Sequence, residues 1–154
     1  MLKIADIMTK HVFTLEASCH AQQAAFELSL RGYTGAPVRD ERGRLVGVLS
    51  RSDLMDPERH DGALAGKKVQ DLMTPAMFTL LPSTPVIQAI RLMVREGIHR
   101  VIVMDERREM VGILTSSDVL DALARGELME TPFAAERGGG LGTTAVASEA
   151  PAQA

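Results

Sequence analysis

A chain of 154 residues with 45% hydrophobic content can bury one good core and is too short for two large independent domains. Aromatics at 3% and the absence of Trp leave Val, Ile, Leu, Met and Ala to fill that core. The net charge of −3 supplies no field for gathering a polyanion, so neither nucleic acid nor a membrane surface is an expected partner.

The first apolar stretch is interrupted by Lys3 and Asp6, and no run reaches the roughly 18 apolar residues of a membrane span; a signal peptide and a spanning segment are both unexpected. Val12–Leu15 reads as a short extended stretch. Ala21, Ala24, Ala25 and Leu28 then follow the i, i+3, i+4, i+7 spacing of a helix, with Ser18 as its N-cap and Gly32 as its stop. Cys19, the single cysteine, reads as a small core residue at this helix and implies a reducing compartment, the cytoplasm. Two strands, Ala36–Arg39 and Leu45–Leu49, flank the polar turn Asp40-Glu41-Arg42, and a second helix starts near Leu54. Residues 57–67, with Pro57, His60, Asp61, Gly62 and Gly66, lack periodicity and read as an exposed linker.

The same order then recurs: Met77–Leu80 extended, and a helix through Val86, Ala89, Ile90 and Met93 with Thr84 as N-cap, Pro85 in its first position and Gly97 as stop. Strands at Val101–Met104 and Met110–Leu114 follow, and then a helix from near Val119 to Gly126. Residues 127–154 form a C-terminal extension in which Thr131-Pro132-Phe133 suits the cap of a short helix, with a mobile tail expected from about Gly138. Shifted by 65 positions, residues 3–56 lie on 68–121 without a gap: Asp6, Met8 and Thr9 on Asp71, Met73 and Thr74, and Gly32, Gly47 and Asp53 on Gly97, Gly112 and Asp118. One fixed offset marks a duplicated unit that cannot bury its apolar face alone. The divisions are therefore repeat 1 at 3–56, a linker at 57–67 and repeat 2 at 68–126.

The motif Gly47-Val48-Leu49-Ser50-Arg51-Ser52-Asp53 returns as Gly112-Ile113-Leu114-Thr115-Ser116-Ser117-Asp118, each time where a strand becomes a helix. Alone, it is a capping box in which the hydroxyl caps the helix and the acid three residues later returns a hydrogen bond. The same residues suit a nucleotide, because a helix start presents free N–H groups to phosphate and a carboxylate accepts from ribose hydroxyls.

In its duplication, its strand-helix-strand-strand-helix order and its paired Gly-x-x-Ser/Thr-x-x-Asp motifs, residues 3–121 resemble a tandem CBS-domain pair, or Bateman module. The resemblance implies an α/β fold of two β-α-β-β-α repeats packed around a pseudo-twofold axis, with two related clefts for an adenosyl ligand: AMP, ADP, ATP or S-adenosylmethionine. It further implies a regulatory, energy-sensing role without turnover. The nucleotide-binding set it marks is Thr9, Phe13, Thr34, Ala36, Pro37, His99, Arg100, Thr115, Ser117 and Asp118. In that set Thr115 and Asp118 hold phosphate and ribose; Thr9, Phe13 and Ala36-Pro37 line the adenine slot, and His99-Arg100 reaches phosphate. His99 equally suits an ordinary strand entrance, and Arg100 a surface ion pair with an acid such as Glu96.

A second, weaker cleft draws on Ser50, Asp53, Thr74, Phe78, Val101 and Ile102. It lacks an equivalent of the Ala36-Pro37 turn and has Thr34-Gly35 in place of His99-Arg100, leaving Arg51 for phosphate. The helix at 86–94 is apolar nearly all round, with Ile87, Leu92 and Val94 outside its main stripe, so a homodimer through that helix is expected; the alternative is deeper burial in the monomer. No nucleophile–base pair, metal cluster or phosphate loop of the Walker type is legible, so neither catalytic residues nor a metal of its own are expected. The competing reading is a ligand-independent CBS-dimer scaffold for an unidentified regulated protein.

Overall fold

The structure, a computed structural model, describes residues 1–56 and 63–128. The short helix expected to begin at the Thr131-Pro132-Phe133 cap and the tail expected from 138 lie outside the described residues, as does the linker over 57–62. No helix among the described residues is long and apolar enough to cross a membrane.

The described chain forms two compact units, one of Met1–Val12 with the chain from Phe78 onward, the other of Phe13–Met77. These do not follow the sequence repeats. Each unit takes the body of one repeat and the leading ten or so residues of the other.

In the unit of Phe13–Met77 the elements are β1 (Leu15–Glu16), α2 (Ala21–Arg31), β2 (Gly35–Arg39), β3 (Leu45–Ser50), α3 (Arg51–Met55) and α4 (Val69–Leu72). The other unit holds α1 (Ile4–Ile7), β4 (Thr79–Leu80), α5 (Val86–Glu96), β5 (Arg100–Met104), β6 (Met110–Thr115) and α6 (Ser116–Ala124). Each has a three-stranded sheet, ordered β1-β2-β3 or β4-β5-β6, with the first pair parallel and the second an antiparallel hairpin. The expected α/β class and repeated order stand. Additional to them are the short lead helices α1 and α4.

The lead segments explain why two expected caps are not caps. Helix α2 starts after His20 and α5 after Pro85, with no side-chain cap at either. Their first N–H groups are satisfied by main chain from the lead segments: Ala21 donates to the Lys67 carbonyl at 2.9 Å, and Val86 to the Leu2 carbonyl at 3.0 Å. Thr84, in a turn, offers its carbonyl to Ile4 N–H at 2.9 Å instead, and Ser18 lies two residues before the N-cap His20. Pro85 is the N-cap and not the first helical residue. The stops at Gly32 and Gly97 hold: both take the left-handed conformation, φ 68° and 63°, which Gly adopts without steric cost.

Strand alternation sorts the sheets. Ala36, Val38 and Leu49 join Leu15, Ala24, Leu28, Val69 and Leu72 in the core of one unit. Val101, Val103 and Leu114 join Ile4, Ile7, Val86, Ala89 and Met93 in the other. The fully buried lead residues Ile4 and Val69, at equivalent positions, complete the core of the unit that holds the other repeat's body. Cys19 lies just before α2 and not within it, partly buried against the core, and its thiol contacts the His20 carbonyl at 3.5 Å. Burial, then Glu27 and Glu16, push the thiol above its ordinary pKa.

Candidate functional site

The two Gly-x-x-Ser/Thr-x-x-Asp motifs form the same corner in each unit. Thr115 ends β6 in extended geometry, and its hydroxyl accepts from Asp118 N–H at 3.2 Å while Asp118 Oδ2 takes Thr115 N–H at 2.7 Å and the Thr115 hydroxyl at 2.8 Å. Ser50 and Asp53 repeat this at 3.3, 2.9 and 3.0 Å. The capping box is therefore real in both, and it starts α3 and α6 earlier than the apolar periodicity suggested, at Arg51 and Ser116.

The other carboxylate oxygen meets a lead segment. Thr9 Oγ1 donates to Asp118 Oδ1 at 3.2 Å, and Thr74 Oγ1 to Asp53 Oδ1 at 3.2 Å. These threonines are held by the main chain: Thr9 exchanges two hydrogen bonds with Ile113, and Thr74 two with Val48, all at 2.9 Å. Such a bridge needs close approach of the two backbones. A Cβ on Gly112 would lie 2.7 Å from Met8 Sδ and 2.9 Å from the Thr9 carbonyl; one on Gly47 would lie 2.6 Å from the Thr74 carbonyl. The glycine of the motif thus admits the threonine that touches the aspartate. Sequence reasoning read this glycine only as part of a motif; its spacing three residues before the hydroxyl was the available signal.

Of the expected nucleotide set, Thr9, His99, Arg100, Thr115, Ser117 and Asp118 belong to one unit, and Phe13, Thr34, Ala36 and Pro37 to the other. His99 is exposed, and its carbonyl accepts from Ser116 N–H at 3.0 Å and the Ser116 hydroxyl at 3.3 Å. Arg100 opens β5 opposite Thr115, and Ser117 is exposed in the first turn of α6. In the other unit Ala36 packs in the core, so of the Ala36-Pro37 pair the proline lies on the opposite sheet face. The carbonyl of Thr34 accepts from Arg51 N–H at 2.9 Å, the equivalent of the His99–Ser116 bond. Phe13 carries the Arg31 guanidinium 4.3 Å above its ring and lies 6.0 Å from Tyr33; nothing in the spacing of 13, 31 and 33 announces this stack.

Of the weaker set, Ser50, Asp53 and Thr74 belong to the unit of Phe13–Met77; Phe78, Val101 and Ile102 belong to the other. Val101 is wholly buried in its own unit's core, like Ala36. The Ser50 hydroxyl also pairs with the Ser52 hydroxyl at 2.8 Å, a contact absent at Thr115, where the equivalent residue is Ser117. Among the described residues no group of three or more His, Cys, Asp or Glu side chains converges as a metal site would require.

Comparison with known proteins agrees with this architecture. The sequence matches the CBS domain over residues 4–57 and again over 69–125. The crystal structure of CBSX2 of Arabidopsis thaliana in complex with AMP is 30% identical, with a TM-score of 0.72 over 82% of this chain and 99% of that one. The CBS domain pair of protein MJ0100, in complex with 5′-methylthioadenosine and S-adenosyl-L-methionine, is 26% identical with a TM-score of 0.72, covering 82% and 98%. A homoserine O-acetyltransferase from Methanococcoides burtonii is 31% identical over 116 residues, 75% of this chain but 23% of that protein. Across six curated relatives the chain spans 14% to 43% of their length. Two consecutive matches, the two repeated units and the paired Thr–Asp corners together make this chain a tandem CBS-domain protein, a Bateman module.

Proposed function

We propose that the chain is a regulatory module that binds an adenosyl ligand, AMP, ADP, ATP or S-adenosylmethionine, at the Asp118 corner without turning it over, with the Asp53 corner as a weaker second site. The observation that carries this is the Thr9–Asp118–Thr115 arrangement: a half-exposed carboxylate at the start of a nine-residue helix, beside His99 and Arg100 in the same unit. The carboxylate suits ribose hydroxyls, and the helix start, the His99 imidazole and the Arg100 guanidinium suit phosphate. The AMP complex of CBSX2 and the adenosyl complexes of the MJ0100 domain pair support the ligand class. The Ser50–Ser52 contact supports ranking the Asp53 corner second, because the Ser50 hydroxyl carries one more partner than that of Thr115. A single cysteine, without a second to pair with in the chain, fits a reducing, cytoplasmic setting.

A calorimetric panel of AMP, ADP, ATP and S-adenosylmethionine tests the reading, with ATP incubation assayed for ADP. Binding of at least one and no ADP above buffer is expected. ATP hydrolysis that Asp118→Ala abolishes overturns the claim of binding without turnover.

A second reading, a homodimeric scaffold that needs no nucleotide, is favoured by exposed apolar side chains on the helices. They lie only in part where the sequence put them. On α5 Ile87 is only half-exposed and Leu92 packs against the core; Val94 alone of the three is open, at 78%. Phe26 and Leu30 on α2 are 59% and 69% exposed, so α2 offers a dimer surface of its own. Light scattering at micromolar concentration tests it: a dimer weakened by Leu30→Glu supports it, and a monomer removes it.

A further inference from the structure

We infer that Thr9 is a built-in competitor for ribose at Asp118, and that it sets how strongly the site distinguishes a ribonucleotide from its 2′-deoxy counterpart. The inference rests on the proposed reading of Asp118 as the ribose acceptor. A carboxylate offers about four acceptor positions. On Asp118 Oδ2 takes the Thr115 N–H and hydroxyl at 2.7 and 2.8 Å, and Oδ1 takes the Thr9 hydroxyl at 3.2 Å. One position is left. A ribose presents two adjacent hydroxyls, so the second must displace either the Thr115 pair, which fixes the start of α6, or Thr9.

Thr9 is the donor that yields. Its bond is the longest of the three, and its side chain is exposed, so a displaced hydroxyl turns to water without a buried unsatisfied group. Displacement leaves the segment in place, because Thr9 N–H and C=O remain bonded to Ile113, both at 2.9 Å. Thr9 therefore weakens diol binding by the worth of its own hydrogen bond to Asp118. A ligand with one hydroxyl uses the open position and does not meet this competition.

The test compares wild type, Thr9→Val and Thr9→Ser by calorimetry with AMP and 2′-deoxy-AMP, repeated with ATP and S-adenosylmethionine. Valine keeps the β-branched shape and the Ile113 bridge but removes the hydroxyl; a thermal melt confirms the fold. Competition predicts that Thr9→Val binds AMP roughly three- to tenfold more tightly. Binding of 2′-deoxy-AMP stays within about twofold, and Thr9→Ser stays close to wild type. If Thr9 instead orients Asp118 or contacts the ligand, Thr9→Val binds AMP no better or more weakly, and the inference is overturned. If AMP, ATP and S-adenosylmethionine bind neither wild type nor Thr9→Val, the reading of Asp118 as a ribose site fails and the inference with it.

Discussion

Thr9 donates to Asp118 Oδ1 across 109 positions of sequence, and Thr74 donates to Asp53 across 21. Each threonine sits on the lead segment of one repeat and each aspartate in the body of the other. The Thr–Asp corners are thus assembled by the same exchange of lead segments that completes the cores.

That exchange predicts where a lead-segment defect is felt. Ile4→Ala opens a cavity among Val86, Ala89 and Val101, at a cost of about 2–5 kcal/mol. Hydrogen exchange should quicken in α5, β5 and β6 and leave α2, β2 and β3 protected. Faster exchange first in residues 13–56, the remainder of Ile4's own repeat, would show that the lead segment does not support residues 78–128.

Gly112→Ala places a Cβ 2.7 Å from Met8 Sδ and 2.9 Å from the Thr9 carbonyl. The sulfur can shift; the carbonyl is tied to Ile113. A loss of about 1–3 kcal/mol is expected from this overpacking, and Gly47→Ala, at 2.6 Å from the Thr74 carbonyl, should lose at least as much. Gly43→Ala provides a contrast: it has no neighbour within 4 Å, and its cost comes from φ 75° alone. Thermal melts of the three variants check this, and an unchanged melting temperature for Gly112→Ala contradicts it.

Arg108 is the one described non-glycine residue with positive φ, 62°, at the position where the first hairpin has Gly43. A left-handed conformation costs an ordinary residue roughly 1–2 kcal/mol. Arg108→Gly should stabilise the protein by about 0.5–1 kcal/mol after the larger chain entropy of Gly in the unfolded state. A melting temperature that falls would contradict the strain.

Asp40 gathers the first hairpin turn: its carboxylate accepts from the N–H groups of Arg44 and Arg42, both at 2.9 Å, and from the Arg44 guanidinium at 3.1 Å. The Arg44 N–H, the largest influence, together with the Arg42 N–H and the Arg44 side chain, outweighs desolvation and holds its pKa below the ordinary 3.8. A lowered folded pKa means stability that is fully present above the unfolded value and lost as pH falls through the folded one. Carboxyl NMR should therefore show Asp40 titrating below 3.8, and Asp40→Asn should remove that acid-range part of the stability curve. Titration at or above the ordinary value would contradict the turn geometry.

The duplication made most of this legible. A gap-free offset of 65 residues showed two copies, and Gly32 and Gly97 marked helix ends that the structure keeps. Ser/Thr-x-x-Asp located both capping boxes. The helix starts were misplaced because Ser18 and Thr84 are good cap residues locally, while Lys67 and Leu2 carbonyls, distant in sequence, do the capping. Four-residue helices at Ile4–Ile7 and Val69–Leu72 are too short to show a period. Apolarity of α5 told only part: Val94 is open and Leu92 finds core neighbours, while α2 leaves Phe26 and Leu30 open.

Calorimetry on Asp118→Ala and Asp53→Ala decides whether Asp118 is the ribose acceptor. Both variants lose a capping acid at the start of a helix, so each melt should fall, on the order of 0.5–2 kcal/mol for the cap alone, and more for Asp53→Ala because Asp53 is buried. Loss of a charged partner for ribose is worth about 1.5–3 kcal/mol. Asp118→Ala should therefore weaken binding of the tightest adenosyl ligand roughly ten- to a hundredfold, and more than Asp53→Ala does. Equal affinity in wild type and Asp118→Ala would contradict the account.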